Sequence, residues 1–122
     1  MSRSAFTLKV FGIYLIVLGP GLILLPNLIL SLVGISPTSE VWIRVVGVLV
    51  LNIGIYYGVA AQSEARPLFL VSVYTRALVF VSFVVFALSG LVSPAVILFG
   101  SVDLAGGLWT LFTLSVEKKG RI

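Results

Sequence analysis

The chain alternates long apolar runs with short polar breaks, and that pattern sets the reading. From Val10 to Ile35 there is no charged residue. Gly19-Pro20-Gly21 and Pro26-Asn27 interrupt this run. Proline removes a helix hydrogen bond and kinks or ends a helix. The expected elements are a first helix over about 10–25, kinked near Pro20, and a short interfacial segment over 27–34. Pro26 suits the start of that segment and Gly34 its C-terminal cap. Further apolar runs predict helices over about 41–61, 68–89 and 95–114, with Thr38 and Ser39 offered as caps for the second. Residues 115–122 read as a charged tail. A membrane span needs about 20 mostly apolar residues, so all four long helices qualify. Short connections make successive helices antiparallel neighbours. The expected fold is an all-α membrane protein: one domain over 1–122, an antiparallel bundle of four transmembrane helices.

Composition sharpens this. Of 122 residues, 60% are hydrophobic and 10% charged, against roughly 25% charged in soluble domains. No cysteine and no histidine occur. That removes disulfides, thiol redox chemistry, the usual neutral-pH proton carrier and the commonest metal ligands. With four acidic residues, a carboxylate cage for a metal is not expected either. The formal charge is +4, but the basic residues form no soluble patch, so no nucleic-acid partner is expected. Arg3, Lys9, Arg66, Lys118, Lys119 and Arg121 fall on one side of the bundle; Arg44 alone falls on the other. The positive-inside rule then puts both termini in the cytoplasm, in a multi-pass protein of the cell membrane. Arg3 and Lys9 before an apolar run weakly resemble a signal peptide, but no small-x-small cleavage site follows, so the first helix reads as retained.

Four polar residues interrupt the apolar runs: Arg44, Asn52, Arg76 and Asp103. A charge at mid-membrane costs at least about 2.5–3.5 kcal/mol, so it needs a partner or a job. At about 1.5 Å per residue, Arg44 lies about 5 Å, Asp103 about 12 Å and Asn52 about 16 Å below the outer face. Arg76 enters from the other side and lies roughly 18 Å down in a core of about 30 Å. The four share one axial band. Two readings follow. Asp103 pairs with Arg76 or Arg44 and locks the helices, with Asn52 adding a hydrogen bond. Alternatively the band is a site in which the surplus positive charge holds an anionic or carbonyl-bearing ligand. Binding is easier to support than catalysis, since acid–base work would rest on Asp103 or a tyrosine.

Aromatic residues add a second layer. Tyr14, Tyr56, Tyr57, Tyr74 and Trp109 count into the cytoplasmic third, and Trp42 into the outer interface. They read as a headgroup belt or as a pocket beneath the polar band, with inward-pointing Tyr56 or Tyr74 as its mark. Gly47, Gly54 and Gly58 share an arc of the second long helix, with Gly54-xxx-Gly58 as a close-approach motif. Gly100 and Gly107 flank Asp103.

The stretches LGPGLILLPNLILSLVGI, WIRVVGVLVLNIGIYY, VYTRALVF and LFGSVDLAGGLWTLFTL resemble a group of small, uncharacterised prokaryotic membrane proteins with four transmembrane helices, distantly similar to the DoxX-type proteins. The resemblance runs from Phe11 to Leu114 and falls on Pro26, Arg44, Arg76, Asp103 and Trp109. It implies the four-helix fold and hints at membrane redox or quinone-associated work, but no cofactor motif accompanies it and none is expected. Small multidrug exporters carry a glutamate in their first helix; this first helix has no acid.

The functional expectation is a non-catalytic scaffold, accessory subunit or binding module with a buried Arg/Asp core. Its partners are the lipid bilayer and either a second copy or another membrane protein. The alternative is a binder or transporter of a small hydrophobic or anionic ligand, lipid- or quinone-like. Its candidate ligand-binding residues are Arg44, Asn52, Arg76, Asp103, Tyr56, Tyr74 and Trp109. A membrane enzyme is the third reading.

Overall fold

The computed structural model describes residues 1–120, with no strand among them. Four long helices carry the fold: α1 (Arg3–Leu24), α3 (Trp42–Gln62), α4 (Arg66–Leu88) and α5 (Ile97–Gly120). A short α2 (Pro26–Leu32) follows α1, and a 3-10 turn (Pro94–Val96) leads into α5. All four long helices are long and apolar enough to cross a membrane. The chain is a multi-pass membrane protein with four spans.

Local chemistry sets the breaks. α1 runs through Pro20 and ends at Leu24. Leu25 leaves the helical region (φ −132°, ψ 54°) because Pro26 follows it, and Pro26 then opens α2. Gly34 takes φ +69° while Ile35 N–H closes back on the Leu30 carbonyl at 2.9 Å, a glycine-dependent helix stop. Gly90 (φ +76°) ends α4 in the same way.

Three expectations at helix ends are corrected. α1 starts at Arg3, well before residue 10, because Ser2 Oγ caps it by accepting from Ala5 N–H, and Ser4 and Thr7 are buried partners of α5. α5 continues past Leu114 through the charged segment, since Glu117 accepts from Ser4 and Arg66. The expected tail charge Arg121 lies outside the described residues. Thr38 and Ser39 do not cap α3, whose N-cap is Val41 with no side-chain cap. Thr38 instead folds the loop, donating its N–H to Asn27 Oδ1 and accepting from Glu40 N–H.

Packing joins the helices as two antiparallel pairs. α1 lies on α3 through glycines that meet face to face. Gly19 faces Gly47, and a Cβ added at either would lie 2.8 Å or 2.7 Å from the other's carbonyl oxygen. Gly12 faces Gly54 in the same way, at 3.1 Å and 3.0 Å. Small residues let backbones approach where lipid supplies no hydrophobic drive between helices. The expected Gly54-xxx-Gly58 motif is not the seam: Gly58 has nothing within 4 Å. α4 lies on α5, with Gly100 against Phe80 and Phe83, and Gly107 against Val73 and Arg76.

The two pairs are joined at the end that holds both termini. There Ala5, Leu8, Ala60, Ala61 and Phe69 form a buried cluster. Beside it the α1–α5 seam is lined by hydroxyls. Ser4 Oγ meets Thr113 Oγ1 at 3.0 Å, and Thr7 Oγ1 meets Thr110 Oγ1 at 2.7 Å. Arg66 and Glu117 close this end with an ion pair at 2.6 Å. Toward the far end the pairs diverge: α3 packs along α1 and hardly on α4.

Candidate functional site

The divergence leaves a cavity of about 600 Å³ between the pairs. Each element contributes one stripe at helical spacing. α1 gives Phe11, Tyr14, Leu15, Leu18 and Leu22; α3 gives Ile43, Val46, Val50, Ile53 and Tyr57. α4 gives Thr75, Arg76, Val79 and Phe83, and α5 gives Phe99 and Asp103. Ile29 and Leu30 of α2, with Ile35 and Val96, line its far end. The walls are apolar except where Tyr14, Tyr57, Thr75, Arg76 and Asp103 gather. Val46 and Ile53 line the cavity yet are each 45% exposed. The cavity is therefore open on the flank where α3 stands apart from the α4–α5 pair, among side chains that face hydrocarbon.

Arg76 is 2% exposed. Its Nε donates to the Ser72 carbonyl at 3.1 Å, and its Nη2 donates to Ser72 Oγ and Thr110 Oγ1, both at 2.9 Å. Its Cζ stands 4.9 Å from the Phe11 ring centroid and 5.6 Å from that of Tyr57. A cation over ring faces gains electrostatically, more so when desolvated. One side chain thus ties α4 to α5, α1 and α3. Only Nη1 is buried without a hydrogen-bond partner. It lies against Gly106, where an added Cβ would come 3.1 Å from Nη1 and 2.9 Å from the Phe11 ring. Glycine at this position makes the room the guanidinium occupies.

Asp103 lies on α5 two turns from Thr110 and is half-buried in the cavity wall. Among the described residues it forms no hydrogen bond and no ion pair; Arg66–Glu117 is the one ion pair there. The two charges expected to pair therefore share a cavity without touching as partners. Nε and Nη2 of Arg76 are committed to hydroxyls and a carbonyl.

Of the residues proposed from sequence, only Arg76 and Asp103 come together. Arg44 is exposed and donates to the Ile23 carbonyl of α1. Asn52 is exposed on α3. Tyr56 is 69% and Tyr74 67% exposed, so neither points inward. Trp109 is 41% exposed and packs edge-on against Phe6, 6.1 Å between centroids. The physical reason is azimuth. Depth counting orders residues along the membrane normal and ignores the 100° each residue turns around its helix. Asn52 follows the cavity residue Val50 by about 200°, and Tyr74 precedes Arg76 by the same angle. Phe11, Val50, Val79 and Phe99 also line the cavity but carry no polar mark in the sequence, and Tyr14 and Tyr57 are marked there only by depth. The signal was present as stripes at spacings of three and four, such as 43, 46, 50, 53 and 57.

No known protein family matches the chain, and no curated protein or solved structure is similar enough to count as a relative.

Proposed function

We propose that this protein is an intramembrane binding module for an elongated, mostly apolar molecule, which enters from the bilayer through the flank of α3. The observation that carries this reading is the cavity: about 600 Å³, lined by all the long helices, apolar along its length and polar at one end. Sites for small molecules fall at about 300–1,000 Å³ and combine apolar walls with a few placed polar groups. A scaffold with a saturated Arg/Asp core would leave Asp103 paired and the interior filled. Arg76 serves as the lock of that reading, through Ser72, Thr110 and two aromatic rings. Asp103 is free for a ligand. The basic residues near the termini, Arg3, Lys9, Arg66 and Lys118, support a cytoplasmic placement of both ends.

Native mass spectrometry of protein extracted from its own membrane tests the binding reading. The native chain carries a small-molecule adduct through purification. Val50→Trp and Val79→Trp, which fill the cavity, lose it, while Val48→Trp on an exposed face keeps it. Adducts of equal mass and occupancy in all four proteins overturn the proposal.

A further inference from the structure

Resting on that binding reading, we propose that the ligand's polar end is uncharged and carries an O–H or N–H donor, as in a long-chain alcohol or a glycerol monoester, and that Asp103 accepts from it. The cavity wall bears two formal charges, Arg76 and Asp103, of opposite sign. Its other polar lining groups are the hydroxyls of Tyr14, Tyr57 and Thr75. The two charges cancel, so a neutral head leaves the site neutral.

The charges are not equally available. Two nitrogens of Arg76 are committed to Ser72 and Thr110, and the third is walled in by Gly106 and Phe11. An anionic head would find its cation covered and a carboxylate beside it. A cationic head would meet Asp103 but also the fixed charge of Arg76, and would have to leave water as an ion, which costs more than the pairing returns unless its geometry is excellent. A neutral donor meets an acceptor that lacks one. A hydrogen bond to a charged group is stronger than a neutral one. Amphiphiles with a hydroxyl head and a single chain fit this arrangement: the chain lies along the stripes of α1 and α3, and the head rests at Asp103.

The test uses the full-length protein, delipidated in detergent micelles, and three probes with the same chain: 1-oleoylglycerol, oleate and oleylamine. Binding is titrated for the native chain, Asp103→Leu and Asp103→Asn. The native chain binds 1-oleoylglycerol about tenfold or more tightly than either charged probe. Asp103→Leu weakens 1-oleoylglycerol about tenfold and leaves oleate equal or better. Asp103→Asn, whose amide carbonyl still accepts, stays within about threefold of native for the glycerol ester. A native chain that prefers oleate or oleylamine overturns the uncharged-head proposal and leaves the cavity reading standing. A chain that binds none of the three overturns both. The probe ranking on the native chain decides even if a variant fails to fold.

Discussion

Arg76 donates to Thr110 Oγ1 at 2.9 Å across the α4–α5 seam, while Asp103, two turns away on the same face of α5, receives no hydrogen bond from any described residue. This asymmetry separates two roles that the charges suggested together. The arginine is held by hydroxyls, a carbonyl and ring faces. The aspartate lines the cavity between the helix pairs.

If Asp103 stabilised the bundle, its loss would strand a charge at a cost of about 3–5 kcal/mol. In the geometry seen here it is itself the unpartnered charge. Asp103→Leu is expected to leave the unfolding free energy unchanged or to raise it, by up to about 2 kcal/mol, since a lone mid-membrane charge costs about 2.5–3.5 kcal/mol. Arg76→Leu, by contrast, is expected to lower it by about 2–4 kcal/mol, through three lost hydrogen bonds and two lost ring contacts. Reversible unfolding in mixed micelles reads both. An ion pair would instead make both substitutions costly, since each would strand the other charge.

The glycine seam gives an independent check on the register of α1 and α3. Gly47→Ala places a methyl 2.7 Å from the Gly19 carbonyl oxygen and 2.9 Å from side-chain atoms of both Leu22 and Ile23. A loss of about 1–3 kcal/mol is expected, because packed backbones have little room to shift. Gly58→Ala meets nothing within 4 Å and is expected to be neutral or to stabilise by up to about 1 kcal/mol through helix propensity. Thermal unfolding of the two variants distinguishes this seam from one built on Gly54-xxx-Gly58, which would make Gly58 the sensitive position.

At the terminal end, Glu64 accepts from Ser2 N–H at 2.9 Å in the turn between α3 and α4. Hydrogen bonds from Ser2 hold its carboxyl below its ordinary 4.5. A depressed folded-state value means the contact contributes fully above pH 4.5 and is lost as pH falls through the lower folded-state value. Hydrogen exchange at the α1 start, read at Ala5 N–H, is therefore expected to quicken relative to its intrinsic rate as the medium is acidified below that range. In Glu64→Gln the acid dependence is expected to vanish. An equal acid response in both proteins would assign it to another group.

The fold was legible because lipid solvation demands long apolar helices with internally satisfied backbones. Pro26, Gly34 and Gly90 mark the breaks with one residue each. The ends misread are those where a side chain from elsewhere intervenes. Ser2 caps α1 early, and Glu117 carries α5 onward because Ser4 and Arg66 hold it. Arg76 and Asp103 were legible as charges out of place. Their separation was not, because axial depth says nothing of rotamer or azimuth, and because Ser72 and Thr110 look like self-satisfied helix hydroxyls. Both do also bond back to their own helices, Ser72 to the Phe69 carbonyl and Thr110 to that of Gly106. Val50 and Val79 carry no chemical mark. They became cavity residues only because the helix pairs diverge beyond Arg76.

The most direct measurement is a double-mutant cycle at Arg76 and Asp103, from reversible unfolding of Arg76→Leu, Asp103→Leu and the double variant in one bilayer mimic. A coupling of about 0.5–1.5 kcal/mol is expected, from the through-space attraction of two charges that share a cavity without a bond. A favourable coupling of about 3 kcal/mol or more, the scale at which a broken buried pair is felt, would make the two a structural lock and contradict the assignment of Asp103 to the cavity.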